Sequence, residues 1–192
     1  LGEENGQATA NRTRALLHAM FNKAADWGWD GKNPVSGVKR FREVSRERFV
    51  QPHELPAFFA ALNAEGNDTL RDFFLTCILT GARRANVMSM RWADLDLKRR
   101  EWLILDTKAG TPHRLPLPTA AVKVLEGRKR VGEWVFPGKG ATGHLVEPKT
   151  GWKRILERSG MKDLRIHDLR RSLGSHMAAG GASLPIIGKA LQ

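Results

Sequence analysis

The sequence predicts a mainly α-helical protein with one small antiparallel β-sheet, an α+β arrangement. Three observations lead there. Apolar residues recur at helical spacing along most of the 192 residues. Gly and Pro fall between those stretches, where helices stop. Between residues 101 and 118 the pattern changes: two β-prone runs, Trp102–Leu105 and His113–Leu117, flank "DTKAGTP", the signature of a hairpin with a Gly-containing turn.

In "TANRTRALLHAMFNKAADW", Leu16, Leu17, Met20, Phe21, Ala24 and Trp27 share one helical face, with Thr9 or Asn11 as cap and Gly28 as stop. Asn33-Pro34 marks a turn, and the charged run "KRFREVSRERF" at 39–49 reads as a linker. A second helical region opens at Pro52, and a helix follows from about Asp68 to Thr80, with Gly81 ending it. "RRANVMSM" is a short helix. After the hairpin, Thr119 caps a helix reaching about Val131, "WVFP" is a candidate short strand, and "EPKTGWKRILERSG" is helical. Asp168 is the expected cap of a helix through Ala179, and Ser183 caps a last one.

Composition narrows the function. Apolar residues at 41% and charged residues at 27% are ordinary for a globular domain. No apolar run nears the ~18 residues of a membrane span, and no secretory leader is visible. Cys77 lies alone in "FFLTCILT", so no internal disulfide can form and it reads as a core residue. The net charge of +12 is uneven: residues 98–171 hold 18 Lys/Arg against 8 Asp/Glu, while residues 1–97 hold 13 against 12. So concentrated a basic block draws polyanions, nucleic acid first and an anionic membrane surface second.

Four elements can carry chemistry. Arg83 and Arg84 in "TGARRANV" follow a helix-ending glycine and could clamp a phosphate with forked donors. Lys108 sits at the hairpin tip, placed to donate a proton to a leaving oxygen. "HDLRR" sets His167 and Arg170 three residues apart on one helical face. His144 and His176 show no metal-ligand spacing, so no metal is expected. "GKGATGH" lacks the terminal Gly-Lys-Ser/Thr of a nucleotide-binding loop, so no cofactor is expected either. Taken singly, each element also fits an ordinary surface turn or helix start.

Taken together and in this order, "TGARRANVMSMRWADLDL", the hairpin lysine and "HDLRRS" resemble the tyrosine recombinase (phage integrase) family. The resemblance implies that residues 46–192 form the catalytic domain and residues 1–45 the end of a helical core-binding domain plus linker. It implies catalytic roles for Arg83, Lys108, His167 and Arg170, and DNA contacts from Lys39, Arg40, Arg84 and Arg171. Such enzymes cut double-stranded DNA through a 3′-phosphotyrosyl link and work as synaptic tetramers when full length; a cytoplasmic protein encoded by a bacterium, a phage or another mobile element is expected. Two departures follow. Family members often carry Glu where this chain has Asn86. The chain also contains no tyrosine, so either the nucleophile belongs to a segment beyond "IIGKALQ" or this is a degenerate element that has lost it, and in both cases this stretch is expected to be inactive by itself. A type IB topoisomerase-like enzyme and a non-catalytic regulator of recombination remain as alternatives.

Overall fold

The computed structural model describes residues 6–105 and 111–191. It divides into two compact units, Leu1–Glu47 and Arg48–Gln192.

In the first unit, helix α1 (Gln7–Asp26) begins after Gly6, and neither Thr9 nor Asn11 caps it. Asn11 does something else. Its buried amide donates to Phe41 O at 2.9 Å and accepts from Phe41 N at 2.9 Å, pinning the chain after the turn onto the helix. Asn33 ties the turn itself to the helix, donating to Asn22 Oδ1 at 2.8 Å and accepting from Val35 N at 3.0 Å. The expected apolar face exists but is not covered: Leu16, Leu17, Met20 and Trp27 are exposed within this unit. Helical spacing reports which residues share a face, and says nothing of what packs on it.

The second unit is built around helix α3 (Asp68–Thr80), which follows α2 (Leu55–Asn63). Asn67 caps α3 by accepting from Leu70 N at 3.1 Å, and Gly81 ends it in a left-handed turn, φ 61°. The short α4 (Arg84–Met88) leads to a three-stranded antiparallel sheet: β1 (Leu95–Asp96), β2 (Glu101–Ile104) and β3 (His113–Pro116), in the order β1-β2-β3. Trp102 pairs with Leu115 and Ile104 with His113. Alternation turns Trp102, Ile104 and Leu115 inward, all nearly fully buried. Sequence reading missed β1, a two-residue strand too short to leave a periodic signal.

Helices α5 (Thr119–Glu126), α6 (Lys149–Ser159), α7 (Asp168–Ala179) and α8 (Leu184–Ala190) complete the unit. Four corrections concern boundaries. Helix α5 stops at Gly127 rather than reaching Val131. Pro118, not Thr119, occupies its cap position. His167, not Asp168, occupies the cap position of α7. "WVFP" forms two isolated bridges, Trp134 with Arg91 and Pro137 with His144, instead of a strand.

Helix α3 packs against α2, α4, α5 and α7, while α2 packs on α6. Between them lies an aromatic cluster, with Phe74 5.1 Å from Trp152, Phe73 5.7 Å from Phe136 and Phe58 6.0 Å from Trp152, ring centre to ring centre. Truncating any of these to Ala would cost about 3–5 kcal/mol. Two buried carboxylates sit at the edge of this core. Glu65 accepts from Arg154 at 2.6 Å and Arg158 at 3.1 Å, and Asp72 accepts from Arg128 at 2.7 Å.

Candidate active site

The site forms where the end of α3 meets the start of α7. Gly81 reverses the chain there because its φ of 61° is open to glycine and costly to others. A side chain would also strike Leu191 and Leu173, whose methyls lie 2.7 and 2.8 Å from the position of an added Cβ. The reversal leaves Arg83 extended, at φ −62° and ψ 137°, just before α4. Arg83 is half-buried, and Arg84 begins α4 exposed to solvent.

Arg170, in the first turn of α7, reaches across and donates from Nη1 to Gly81 O at 2.6 Å. A helix-ending carbonyl otherwise left without a partner thus fixes the guanidinium. One peptide carbonyl therefore ties the two arginine-bearing segments together. Burial, then the nearby charge of Arg83, lowers the pKa of Arg170. A guanidinium titrates so high that it remains a cation.

His167 stands at the head of α7 on the solvent side. Its pKa is lowered, first by partial burial, then by Arg170 and Arg171, with Arg83 also contributing and Asp168 opposing. Three arginines are therefore close enough for their charges to be felt at one imidazole. The arrangement gathers positive charge and a titratable ring with no carboxylate dominating it, which suits a tetrahedral anion and suits a metal poorly. Among the described residues, no group of three or more His, Cys, Asp and Glu side chains is disposed to hold a metal ion.

The rest of the "HDLRRS" stretch holds α7 in place. Asp168, almost fully buried, accepts from Arg165 N at 2.8 Å. Ser172 donates to Asp168 O at 2.8 Å and accepts from Val50 N at 2.8 Å. His176, one turn on, donates from Nε2 to Val50 O at 3.0 Å, and its ring meets Phe49 edge-on. Both backbone groups of Val50 are thus satisfied by side chains of α7. Sequence reading considered His176 only as a metal ligand and gave Ser172 no role. Their i, i+4 spacing was the available signal, but it did not identify the partner, 122 and 126 residues away.

The other expected residues separate. Lys108 lies outside the described residues; the Ile104–His113 pairing that brackets it is the expected hairpin. Arg171 is half-buried on α7, while Lys39 and Arg40 are exposed in the first unit. Asn86 is half-buried and lines a cavity of about 300 Å³ with Ser89, Arg91 and Asp94. His144 is structural, its Nδ1 2.8 Å from Leu145 O and its ring against Trp134. Cys77 is buried, and burial pushes its thiol pKa far up, which removes it as a nucleophile.

Residues 48–192 match the model of the phage integrase family. The chain belongs to that family. The integrase of Salmonella phage P22 is 27% identical over 191 residues, covering 91% of this chain and 47% of the relative. The tyrosine recombinase XerD of Caulobacter vibrioides is 25% identical over 205 residues, covering 94% and 65%. This phage integrase family chain thus spans about half to two thirds of those relatives' lengths. Among solved structures, a lambda integrase tetramer bound to a Holliday junction superposes with a TM-score of 0.77 at 18% identity, over 99% of this chain and 60% of that one. That likeness establishes a shared fold.

Proposed function

We propose that this chain is the DNA-binding, phosphate-activating core of a site-specific recombinase. The observation that carries the reading is the Arg170–Gly81 hydrogen bond, which sets Arg170 beside Arg83 at the foot of His167. In this reading the scissile phosphate lies between the two arginines. Their guanidinium groups offset the charge that builds on its non-bridging oxygens in the transition state. His167, kept neutral near pH 7 by its surroundings, moves the nucleophile's proton. Lys108 protonates the departing 5′ oxygen. Positive side chains take the part a metal plays in many nucleases, and a covalent protein–DNA bond would conserve the phosphodiester energy without a nucleotide cofactor.

The attacking group is a tyrosine, and the sequence has none. The chain as given therefore binds DNA without cutting it. Residues 46–192 serve as the catalytic domain and residues 1–45 as the end of the core-binding domain with its linker. Lys39, Arg40, Arg84 and Arg171 contact the DNA backbone. The lambda integrase tetramer on a Holliday junction supports assembly of full-length protomers into a synaptic tetramer. Phage and prophage relatives support a mobile-element origin and a cytoplasmic site of action.

The test uses a nicked suicide duplex. Binding at low salt that weakens steeply as salt rises, with no adduct surviving denaturation, is the expected result. A denaturation-resistant adduct would show that another residue is the nucleophile, and absence of binding at low salt would remove the DNA reading.

A further inference from the structure

Next to the arginine pair, the second unit carries a groove of about 530 Å³ whose two walls differ in character. Its rim carries three cations, Arg84 at the start of α4, Lys149 at the start of α6 and Arg165 before α7, with the neutral His167 beside them. Its floor is apolar and held rigid, since Trp152 donates from Nε1 to Leu164 O at 3.0 Å and its ring packs on Phe58 and Phe74. No carboxylate lines the groove. Glu147 pairs with Lys149 at 3.3 Å, an exposed pair of little strength, and the buried Asp168 carboxylate lies behind Arg165 and His167. Among the described residues, Arg84 and Arg165 have no ion-pair partner, and both are exposed.

Arg165 is informative because two parts of it do different work. Its backbone N–H is spent on Asp168, which fixes the turn into α7. Its side chain is free of that duty and faces the groove. Elsewhere in the basic block, Arg128, Arg154 and Arg158 are committed to buried carboxylates. The groove therefore concentrates cations that the fold itself does not use.

We propose that this groove is a second phosphate subsite, which holds the DNA backbone one or more nucleotides from the scissile phosphate. Arg84, Arg165 and Lys149 contact phosphate oxygens, and the Trp152–Leu164 floor receives the adjoining deoxyribose. Charge complementarity selects a polyanion, the apolar floor selects a sugar face over free phosphate, and His167 is shared with the arginine site, so one strand can run through both. The proposal rests on the DNA-binding reading given above and adds a location to it.

The experiment measures duplex DNA affinity of the chain against salt for the parent, Arg84→Gln, Arg165→Gln and the exposed Lys123→Gln outside the groove. Each phosphate contact contributes about 0.9 to the slope of log affinity against log salt, or roughly 3.5-fold in affinity over a fourfold salt rise. The two groove variants should each lower the slope by about one contact, and Lys123→Gln should leave it unchanged. The arginine side chains are exposed and Arg165 holds Asp168 through its backbone N–H, so the variants should fold. A parent slope retained in both groove variants overturns the subsite while leaving DNA binding intact. An equal fall in all three, Lys123→Gln included, also overturns it, because the charge then acts diffusely. A parent that does not bind at low salt instead overturns the underlying reading, and this proposal with it.

Discussion

At the scale of single residues, His167 shows how environment rather than identity decides a role. An isolated histidine titrates near 6.5. Here burial and three arginines favour the neutral ring in the folded chain. The unfolded chain therefore takes up the proton first as pH falls. His167 contributes no penalty above about pH 6.5, and it lowers stability as pH drops from there toward the depressed folded value. Replacing it with Gln should flatten that part of the stability profile between about pH 7 and 5, read by urea unfolding at each pH. DNA should reverse the bias, since a phosphate beside the ring favours its charged form. DNA affinity should then rise more steeply on acidification in the parent than in His167→Gln at constant salt. Superimposed affinity profiles would place His167 away from any phosphate. The residue types of the site were legible in the sequence, because arginine forks and a titratable ring at helix starts have few other uses in combination. The hydrogen bond that joins them was not, because Gly81 and Arg170 are 89 residues apart.

At the scale of elements, the helix carrying His167 and Arg170 is fastened from behind by Val50. The segment Arg48–Gln51 leads into α2, and Arg48 itself is locked to Glu54 by a pair of 2.7 Å hydrogen bonds, which hold the Glu54 carboxyl below its usual range. Ser172 and His176 then hold the two backbone groups of the intervening Val50, which is fully buried. Removing either side chain leaves a buried peptide group without its partner, at about 1–3 kcal/mol. Ser172→Ala and His176→Leu should each destabilise the second unit by that amount. The double variant should cost less than the sum of the two, since both bonds hold one residue, through the peptide groups on either side of it. Amide exchange at Val50 should accelerate in Ser172→Ala, whereas strict additivity with unchanged Val50 exchange would mean that the two bonds act separately. Elements with strong periodicity or clear stops, such as α3 and the β2–β3 hairpin, were legible from sequence. The ends of α5 and the cap of α7 were not. Thr119 and Asp168 are good capping residues by type, but Pro118 and the Arg165 backbone amide decided the geometry instead.

At the scale of the whole molecule, net charge is a poor guide to which cations are available to a polyanion. The sequence carries +12, most of it in residues 98–171. The fold divides the chain's cations into two populations. Arg128 is fully engaged: it pairs with Asp72, donates to Val135 O at 2.9 Å and stacks over Phe136 at 4.9 Å. Arg154 and Arg158 converge on Glu65, whose side chain is 2% exposed, and hold its carboxyl pKa below the usual range. These arginines serve the core, and their charge is largely cancelled at close range. Arg84 and Arg165 serve no such purpose, and their field extends into solvent. A simple count of charge treats all five alike. Geometry predicts that they behave oppositely. Arg128→Met leaves Asp72 with Arg71 alone and should cost about 3–5 kcal/mol in unfolding free energy, as breaking a buried pair does. Its DNA salt slope, measured where the variant is still folded, should match the parent's. Arg165→Gln changes the net charge by the same single unit and should do the reverse, with stability within about 0.5 kcal/mol of the parent and a slope lower by one contact. If both variants shift the slope equally, DNA senses total charge alone, and the division of the basic block into core and interface cations fails.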